Sequence, residues 1–344
     1  MLNKINRLRD SHTLSECDYR EIITCRDPEV AEYLALQARE VSQSVFGNEV
    51  FVRGLIEITN ICKNGCYYCG IRSANRDLRR YRLSREEIVK CCVVGYSLDF
   101  RTFVLQGGED PSMTIDWLVE VVQEIRSRFA DAAITLSLGE MRFEDYERLK
   151  EAGANRYLLR HESYNRELYE RLHPTAMSHD NRLECLESLK EIGFQTGTGF
   201  MVGAPTQSIE NIVEDIKYIE RLSPEMVGVG PFISHHNTPF GSERNGDIEL
   251  TLKLISIFRL MNPHALIPST TSLATLCKDG HKRGILAGAN VIMPNLSPVE
   301  LRAQYSLYDN KASFGAEAAE GLEILGRQLG EIGYKISYQR GDYK

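Results

Sequence analysis

Cys62-Lys63-Asn64-Gly65-Cys66-Tyr67-Tyr68-Cys69-Gly70 decides the reading of this 344-residue chain. Three thiols stand on one short stretch, with three residues between the first pair and two between the second, directly after Glu57-Ile58-Thr59-Asn60. Three thiolates at that spacing can hold three irons of a [4Fe–4S] cube. The fourth iron then lacks a protein ligand from this loop and keeps the open coordination position that catalytic metal centres use. A structural zinc site wants four ligands, usually as two separated pairs, and no second Cys pair with that spacing occurs. A disulfide framework needs an oxidising compartment, and nothing in the chain points to one.

Outward from this loop, the composition is that of a soluble globular protein, 42% hydrophobic and 26% charged, with a formal net charge of −7. The acidic balance argues against a general nucleic-acid binder, which needs a basic face. Met1-Leu2-Asn3-Lys4-Ile5-Asn6-Arg7 lacks the apolar run of a signal peptide. No segment reaches the roughly 18 apolar residues of a membrane span. A reducing cytoplasm fits, and an exposed cluster also asks for low oxygen. Cys91, Cys92 and Cys185 fall in apparent helices and are expected to pack as small apolar groups.

Residues 1–50 are expected to form an N-terminal helical extension, with helices at 13–24 and 27–46. Asp27-Pro28 is a helix start with an N-cap and Pro at the first helical position, and Gly47 is its stop. From residue 51 the pattern is strand, loop, helix, repeated. Strands are expected at 51–58, 102–105, 133–138, 156–159, 195–202, 226–233, 265–268 and 289–293, and a last helix at 316–332. Eight strands alternating with helices predict parallel βαβ units closed into a (β/α)8 TIM barrel spanning 51–344, a single domain overall; a partial barrel is the alternative, because 265–268 is short.

Unusual polar residues fall at the C-terminal ends of these strands, where barrel active sites are built. Gln106-Gly107-Gly108-Glu109-Asp110 follows the second strand, and paired glycines let backbone approach a ligand closely. Thr135 and Ser137 share one face of the third strand and either line the interior or pack the core. Arg156 opens the fourth strand and Arg160-His161-Glu162 ends it. Arg182 on a following helix is suited to a two-pronged carboxylate contact or to a solvated helix face. Met201 ends the fifth strand. His235-His236 read better as loop structure than as a metal site. Ser269-Thr270-Thr271-Ser272 offers hydroxyls to a carboxylate, and Tyr305 and Tyr308 follow the eighth strand.

The cysteine motif with Tyr68 before its last Cys resembles that of the radical S-adenosylmethionine (SAM) enzymes. Asn60–Gly70, Arg80-Tyr81-Arg82, Val104–Pro111, Thr135–Glu140, Arg156–Glu162, Gly228–Ile233, Ile267–Thr271 and Gly288–Asn295 together resemble the HydE-type maturases of [FeFe] hydrogenase, over about residues 48–310. The resemblance implies a complete barrel around a substrate cavity, with Cys62, Cys66 and Cys69 on the cluster and SAM on the fourth iron. It implies SAM contacts from Tyr68, Gln106, Gly107, Gly108, Glu109, Ser137, Arg160, Glu162, Arg182 and Met201. It also implies a substrate site from Thr135, Arg156, Thr270, Thr271 and Tyr305, on an iron–cysteine complex or other small molecule. The implied partners are a one-electron reductant such as ferredoxin or flavodoxin, and other hydrogenase maturases. Some members of this family carry further cysteines near the C-terminus that bind a second cluster; Tyr308–Ala319 has none, and Cys277 alone cannot hold one. The alternatives are a methylornithine-synthase-like enzyme acting on an amino-acid skeleton, and a non-catalytic iron–sulfur scaffold.

Overall fold

The computed structural model describes residues 1–343. Three helices lead: α1 (Leu2–Ser11), α2 (Glu16–Thr24) and α3 (Pro28–Phe46). The Asp27 side chain accepts from the Glu29 backbone N–H and Gly47 caps the far end of α3. These helices pack on the outer helices of the barrel, α3 along α10 (Ile248–Met261) and α2 against α9 (Ile209–Leu222). α1 was not expected, because its charged sequence shows an apolar face only at Ile5 and Leu8, both fully buried.

The strands are β1 (Glu49–Val52), β2 (Gly54–Thr59), β3 (Thr102–Gly107), β4 (Ala133–Ser137), β5 (Arg156–Leu158), β6 (Gln195–Val202), β7 (Met226–Pro231), β8 (Val291–Ile292) and β9 (Lys335–Ser337). Between them run α4 (Arg85–Ser97), α5 (Ile115–Arg128), α6 (Phe143–Glu151), α7 (Arg166–Leu172) and α8 (His179–Glu191), then α9 and α10, followed by α11 (Thr271–Leu276) and α12 (Gly280–Leu286). α13 (Val299–Arg302) and α14 (Leu322–Gly330) come after β8. β2 to β7 pair in chain order, all parallel, in one six-stranded sheet. β2 is buried at all six positions, as expected of a parallel strand covered on both faces.

The ring closes through shorter pairings. Met226 pairs with Leu266, Pro268 with Val291, Phe51 with Val291, and Leu55 with Asn295. The backbone N–H groups of Phe51, Arg53 and Leu55 donate to Asn290, Ile292 and Pro294 carbonyls at 2.9, 3.0 and 2.9 Å. The expected first strand is thus two strands, because the backbone on either side of Arg53 serves different neighbours: β1 pairs with β8 and β9, β2 with β3. The expected strand at 265–268 is reduced to isolated bridges, since Pro268 has no N–H to give a ladder. β9 is an addition, pairing parallel to β1 outside the ring. The last helix is shorter than 316–332, beginning at Leu322 after two 3₁₀ turns. No helix among the described residues is long and apolar enough to cross a membrane.

Candidate functional site

The cysteine loop leaves the C-terminal end of β2 and is tied at both ends to the barrel mouth. The Lys63 N–H donates to the Glu109 carbonyl at 2.9 Å, and the Gly70 N–H to the Leu307 carbonyl at 2.8 Å. The Arg80 guanidinium collects four loop carbonyls, those of Asn60, Ile71, Arg72 and Asn75, at 2.5 to 2.9 Å. Asn60 is fully buried and donates to the carbonyls of Arg79 and Gln304. Arg80 and Asn60, which the sequence offers only as members of the resembling stretches and without a role, set the shape of the loop.

Cys62, Cys66 and Cys69 are free thiols, each partly exposed. Burial pushes the Cys69 thiol up to about 12, and the nearby Cys62 thiolate adds to this. Cys66 is raised by burial and by the charges of Cys69 and Cys62. Three thiolates facing one another are therefore unfavourable without a cationic partner, and a cationic group is what the loop is built to accept. Met177 brings its sulfur to 3.7 Å from Cys66 Sγ.

The loop after β3 packs under the cysteines so closely that a Cβ at Gly108 would lie 2.3 Å from the Ile61 carbonyl and 2.6 Å from Cys62 Cβ. Glycine is required there by close approach of two backbones. Arg82 holds both oxygens of Asp110 in a fork at 2.6 and 2.7 Å, and Thr59 donates to Asp110 Oδ2. Glu109 accepts from the Glu140 N–H at 3.2 Å and pairs with Lys63 at 3.2 Å.

Beside this turn stand Arg160, Glu162 and Arg182. Glu162 is buried with φ +63°, a left-handed conformation that costs a non-glycine residue about 1–3 kcal/mol and clusters at functional sites. Its Oε2 pairs with Nη2 of Arg160 at 3.2 Å, a contact without hydrogen-bond geometry, and Nε of Arg160 is buried with no partner. The Arg182 Nε donates to Glu140 and its Nη1 to the Arg160 carbonyl at 2.8 Å. Burial opposes the Arg182 charge, but Tyr169 and Glu140 outweigh it and raise its pKa. A buried guanidinium and a buried carboxylate that pair only loosely with each other, next to the thiols, fit a zwitterionic ligand such as SAM.

Tyr68 is half-buried, its hydroxyl 3.1 Å from His173 Nε2. Burial holds His173 down to about 3, so the ring is neutral, donating from Nδ1 to the Tyr169 carbonyl and accepting from Tyr68. Met201 is buried beside Leu168, Leu172 and Phe232 with Tyr68 against the same cluster. Gln106 and Ser137 are register neighbours at the ends of β3 and β4. Gln106 Nε2 lies 3.3 Å from the hydroxyl of the fully buried Tyr305.

Deeper in the barrel, Thr135 is buried with its hydroxyl unpartnered. Thr270 caps α11 and shares its hydroxyl with Ser272 at 3.0 Å, while Thr271 opens that helix. Arg156 does not join them. It sits at the N-terminal end of β5, wholly buried, bonded to Gln195, Thr102, Asp342 and the carbonyls of Arg340 and Gly341. The expectation that it anchors a substrate carboxylate is corrected: its donors hold the C-terminal segment against the barrel floor, the end of the fold that serves stability. An ion pair the sequence did not disclose sits at the upper end instead. Lys311 reaches back to the fully buried Glu57 at 2.5 Å, and Asn295 donates to the other Glu57 oxygen at 3.0 Å. No periodicity in the sequence signals a pairing across 254 positions.

His161, between Arg160 and Glu162, bonds Thr198 at 2.9 Å and Asp215 at 3.2 Å and ties β5 to α9. His235, His236 and Asp309 converge within 4.8 Å on the rim. The Asn237 N–H donates to His235 Nδ1 at 3.1 Å, which places that ring's proton on Nε2 and leaves it no lone pair for a metal.

The sequence pattern of the radical SAM superfamily matches residues 56–219, which hold the cysteine loop, the turn after β3 and Arg160–Arg182. The [FeFe] hydrogenase maturase subunit HydE of Thermotoga maritima is 42% identical, with 90% of each chain covered. This chain belongs to the radical SAM superfamily. A 3-methylornithine synthase of Methanosarcina acetivorans is 32% identical over 87% of this chain and 85% of its own. The crystal structure of methylornithine synthase superposes with a TM-score of 0.85 at 28% identity, covering 97% of both chains. The radical SAM family is one of enzymes that use SAM and a [4Fe–4S] cluster, and the group implied by Cys62–Glu162 is the one these relatives represent.

Proposed function

We propose that this chain is a HydE-type radical SAM enzyme of [FeFe]-hydrogenase maturation, acting on a cysteine-ligated iron precursor of the diiron subcluster. The observation that carries this reading is the buried, loosely held Arg160–Glu162 pair together with the unpartnered Arg160 Nε and Thr135 hydroxyl, between the cysteine loop and the interior of a closed barrel. It is supported by 42% identity across 90% of the chain to a protein named as that maturase.

Cys62, Cys66 and Cys69 are the residues that would hold the cluster, and Glu162, Arg182, Gly107, Gly108 and Glu109 those that would hold SAM. When bound, the two supply one electron and a reductively cleaved sulfonium, yielding methionine and a 5′-deoxyadenosyl radical. The chain's own residues bind, orient and exclude water. Arg182, fixed by Glu140, offers its remaining face to a carboxylate. Glu162 offers a carboxylate to hydroxyl or ammonium groups. Tyr305 and the Glu57–Lys311 pair close the interior from above, and Thr135 with Thr270 and Thr271 present hydroxyls to substrate.

The test is genetic. A host whose [FeFe] hydrogenase depends on maturation loses hydrogenase activity when this gene is deleted and regains it with the wild-type chain. Restoration by a Cys62→Ser chain, or normal hydrogenase without the gene, would sink this reading. The 32% identity to 3-methylornithine synthase favours a second reading, rearrangement of an amino-acid skeleton. Conversion of lysine to methylornithine by the purified protein would establish it.

A further inference from the structure

We infer that Met177 is a positioning residue: its thioether covers the sulfur of Cys66 and lowers the reduction potential of the cluster that the three thiols would hold. This rests on the radical SAM reading, in which that potential sets how strongly an electron is driven into SAM. Residues 172–177, between α7 and α8, lie along the cysteine loop one after another. The Leu172 carbonyl accepts from the Tyr67 N–H at 2.9 Å, and His173 meets the Tyr68 ring edge-on at 5.4 Å. Pro174 lies 3.5 Å from where a Cβ on Gly65 would stand. The Met177 N–H then closes a turn onto the Pro174 carbonyl at 2.9 Å, and its sulfur reaches Cys66 Sγ at 3.7 Å.

Core packing does not account for this methionine. Met177 is half-exposed and, among the described residues, joins none of the three apolar core clusters. It directly precedes Ser178, the N-cap of α8, where an apolar residue commonly packs against the fourth helical position. That position is Arg182, which is turned to Glu140 and the Arg160 carbonyl, so no such apolar pair forms. The three thiols also differ in their surroundings. Burial raises all of them; at Cys62 the backbone N–H groups of Asn64 and Glu109 work against it, at Cys69 that of Ile71, and at Cys66 the charge of Arg182. Hydrogen bonds to cluster sulfurs and exposure to solvent both raise the potential, because each stabilises the extra negative charge of the reduced state. A thioether laid on Cys66, with no N–H or O–H to give, withholds both.

The experiment is a potentiometric titration of the anaerobically reconstituted full chain, read by electron paramagnetic resonance of the reduced cluster, for wild type, Met177→Leu and Met177→Gln. Leucine keeps an apolar cover of similar volume, whereas glutamine keeps the length and brings an N–H donor to the sulfur. The expected result is equal iron content and equal SAM affinity in all three, and equal potentials in wild type and Met177→Leu. At the poise that half-reduces the wild type, the reduced-to-oxidised ratio in Met177→Gln is about threefold higher or more. Equal potentials in Met177→Gln and wild type overturn the inference, as do a shift to lower potential or a loss of iron in Met177→Gln, or an equal shift in Met177→Leu. A reconstituted wild type that holds iron but shows no [4Fe–4S] signal on reduction with dithionite fails the radical SAM reading itself, and is thereby distinguished from failure of the role assigned to Met177.

Discussion

The Nε of Arg182 lies 2.5 Å from Oε1 of Glu140, a residue between β4 and α6, so an arginine on α8 is aimed by a carboxylate from a neighbouring βα unit. The Nη1 of Arg182 is fixed as well, on the Arg160 carbonyl. Such a side chain reaches its ligand with little rotamer entropy left to lose. Glu140→Gln keeps the shape and removes the charge. It is expected to weaken SAM binding about tenfold, some 1.4 kcal/mol, while Arg182→Ala weakens it about a hundredfold. Calorimetric titration of the reconstituted variants reads both, and unchanged affinity in Arg182→Ala removes Arg182 from the SAM site.

Glu162 separates stability from function. Its φ of +63° is left-handed, so Glu162→Gly relieves backbone strain of about 1 kcal/mol or more. Glu162→Gly is expected to melt a few degrees higher than Glu162→Ala, and both to bind SAM more weakly than wild type. Glu162→Gln is expected to keep the fold and to lose affinity with the charge. Thermal unfolding and SAM titration of the three variants check this, and wild-type affinity in Glu162→Gln contradicts it.

The floor behaves differently from the mouth. Arg156→Met strands the Asp342 carboxylate and the carbonyls of Arg340 and Gly341, and is expected to cost about 3 kcal/mol in urea unfolding. SAM affinity of the folded fraction stays as in wild type. A loss of SAM or substrate binding without loss of stability would return Arg156 to the site.

His173 gives a pH dependence whose sign is fixed. Burial lowers its pKa from 6.5 to about 3 in the folded chain. Below about pH 6.5 the unfolded chain takes up a proton that the native ring refuses, so stability falls as pH drops through that window and levels near 3. The slope is about 1.4 kcal/mol per pH unit for this group. His173→Gln, measured by urea unfolding of the cluster-free chain between pH 7 and 4, is expected to show a shallower fall than wild type. Parallel curves contradict a neutral His173.

Much of this was legible because the chemistry lies in short contiguous motifs. Cys62–Cys69, the glycine pair after β3 and Arg160-Glu162 all fall at strand ends that alternation alone locates. What was missed depends on contacts between distant segments. Glu57 reads as one more residue of an apolar strand until Lys311 folds back over it. Arg156 was read correctly as opening its strand, but the resemblance gave it a role at the mouth, and a residue at the start of β5 serves the opposite face of the barrel. The break at Arg53 and the loss of a ladder at Pro268 likewise come from how the ring closes, which no local pattern records.

The most direct measurement is 5′-deoxyadenosine formed from SAM by the anaerobically reconstituted chain with dithionite, in wild type and in Cys62→Ser, Cys66→Ser and Cys69→Ser. The account predicts 5′-deoxyadenosine and methionine in equal amounts from wild type and neither from any of the three variants. A reconstituted wild type that holds its iron and binds SAM but yields no 5′-deoxyadenosine, or a serine variant that yields it at the wild-type rate, contradicts the account.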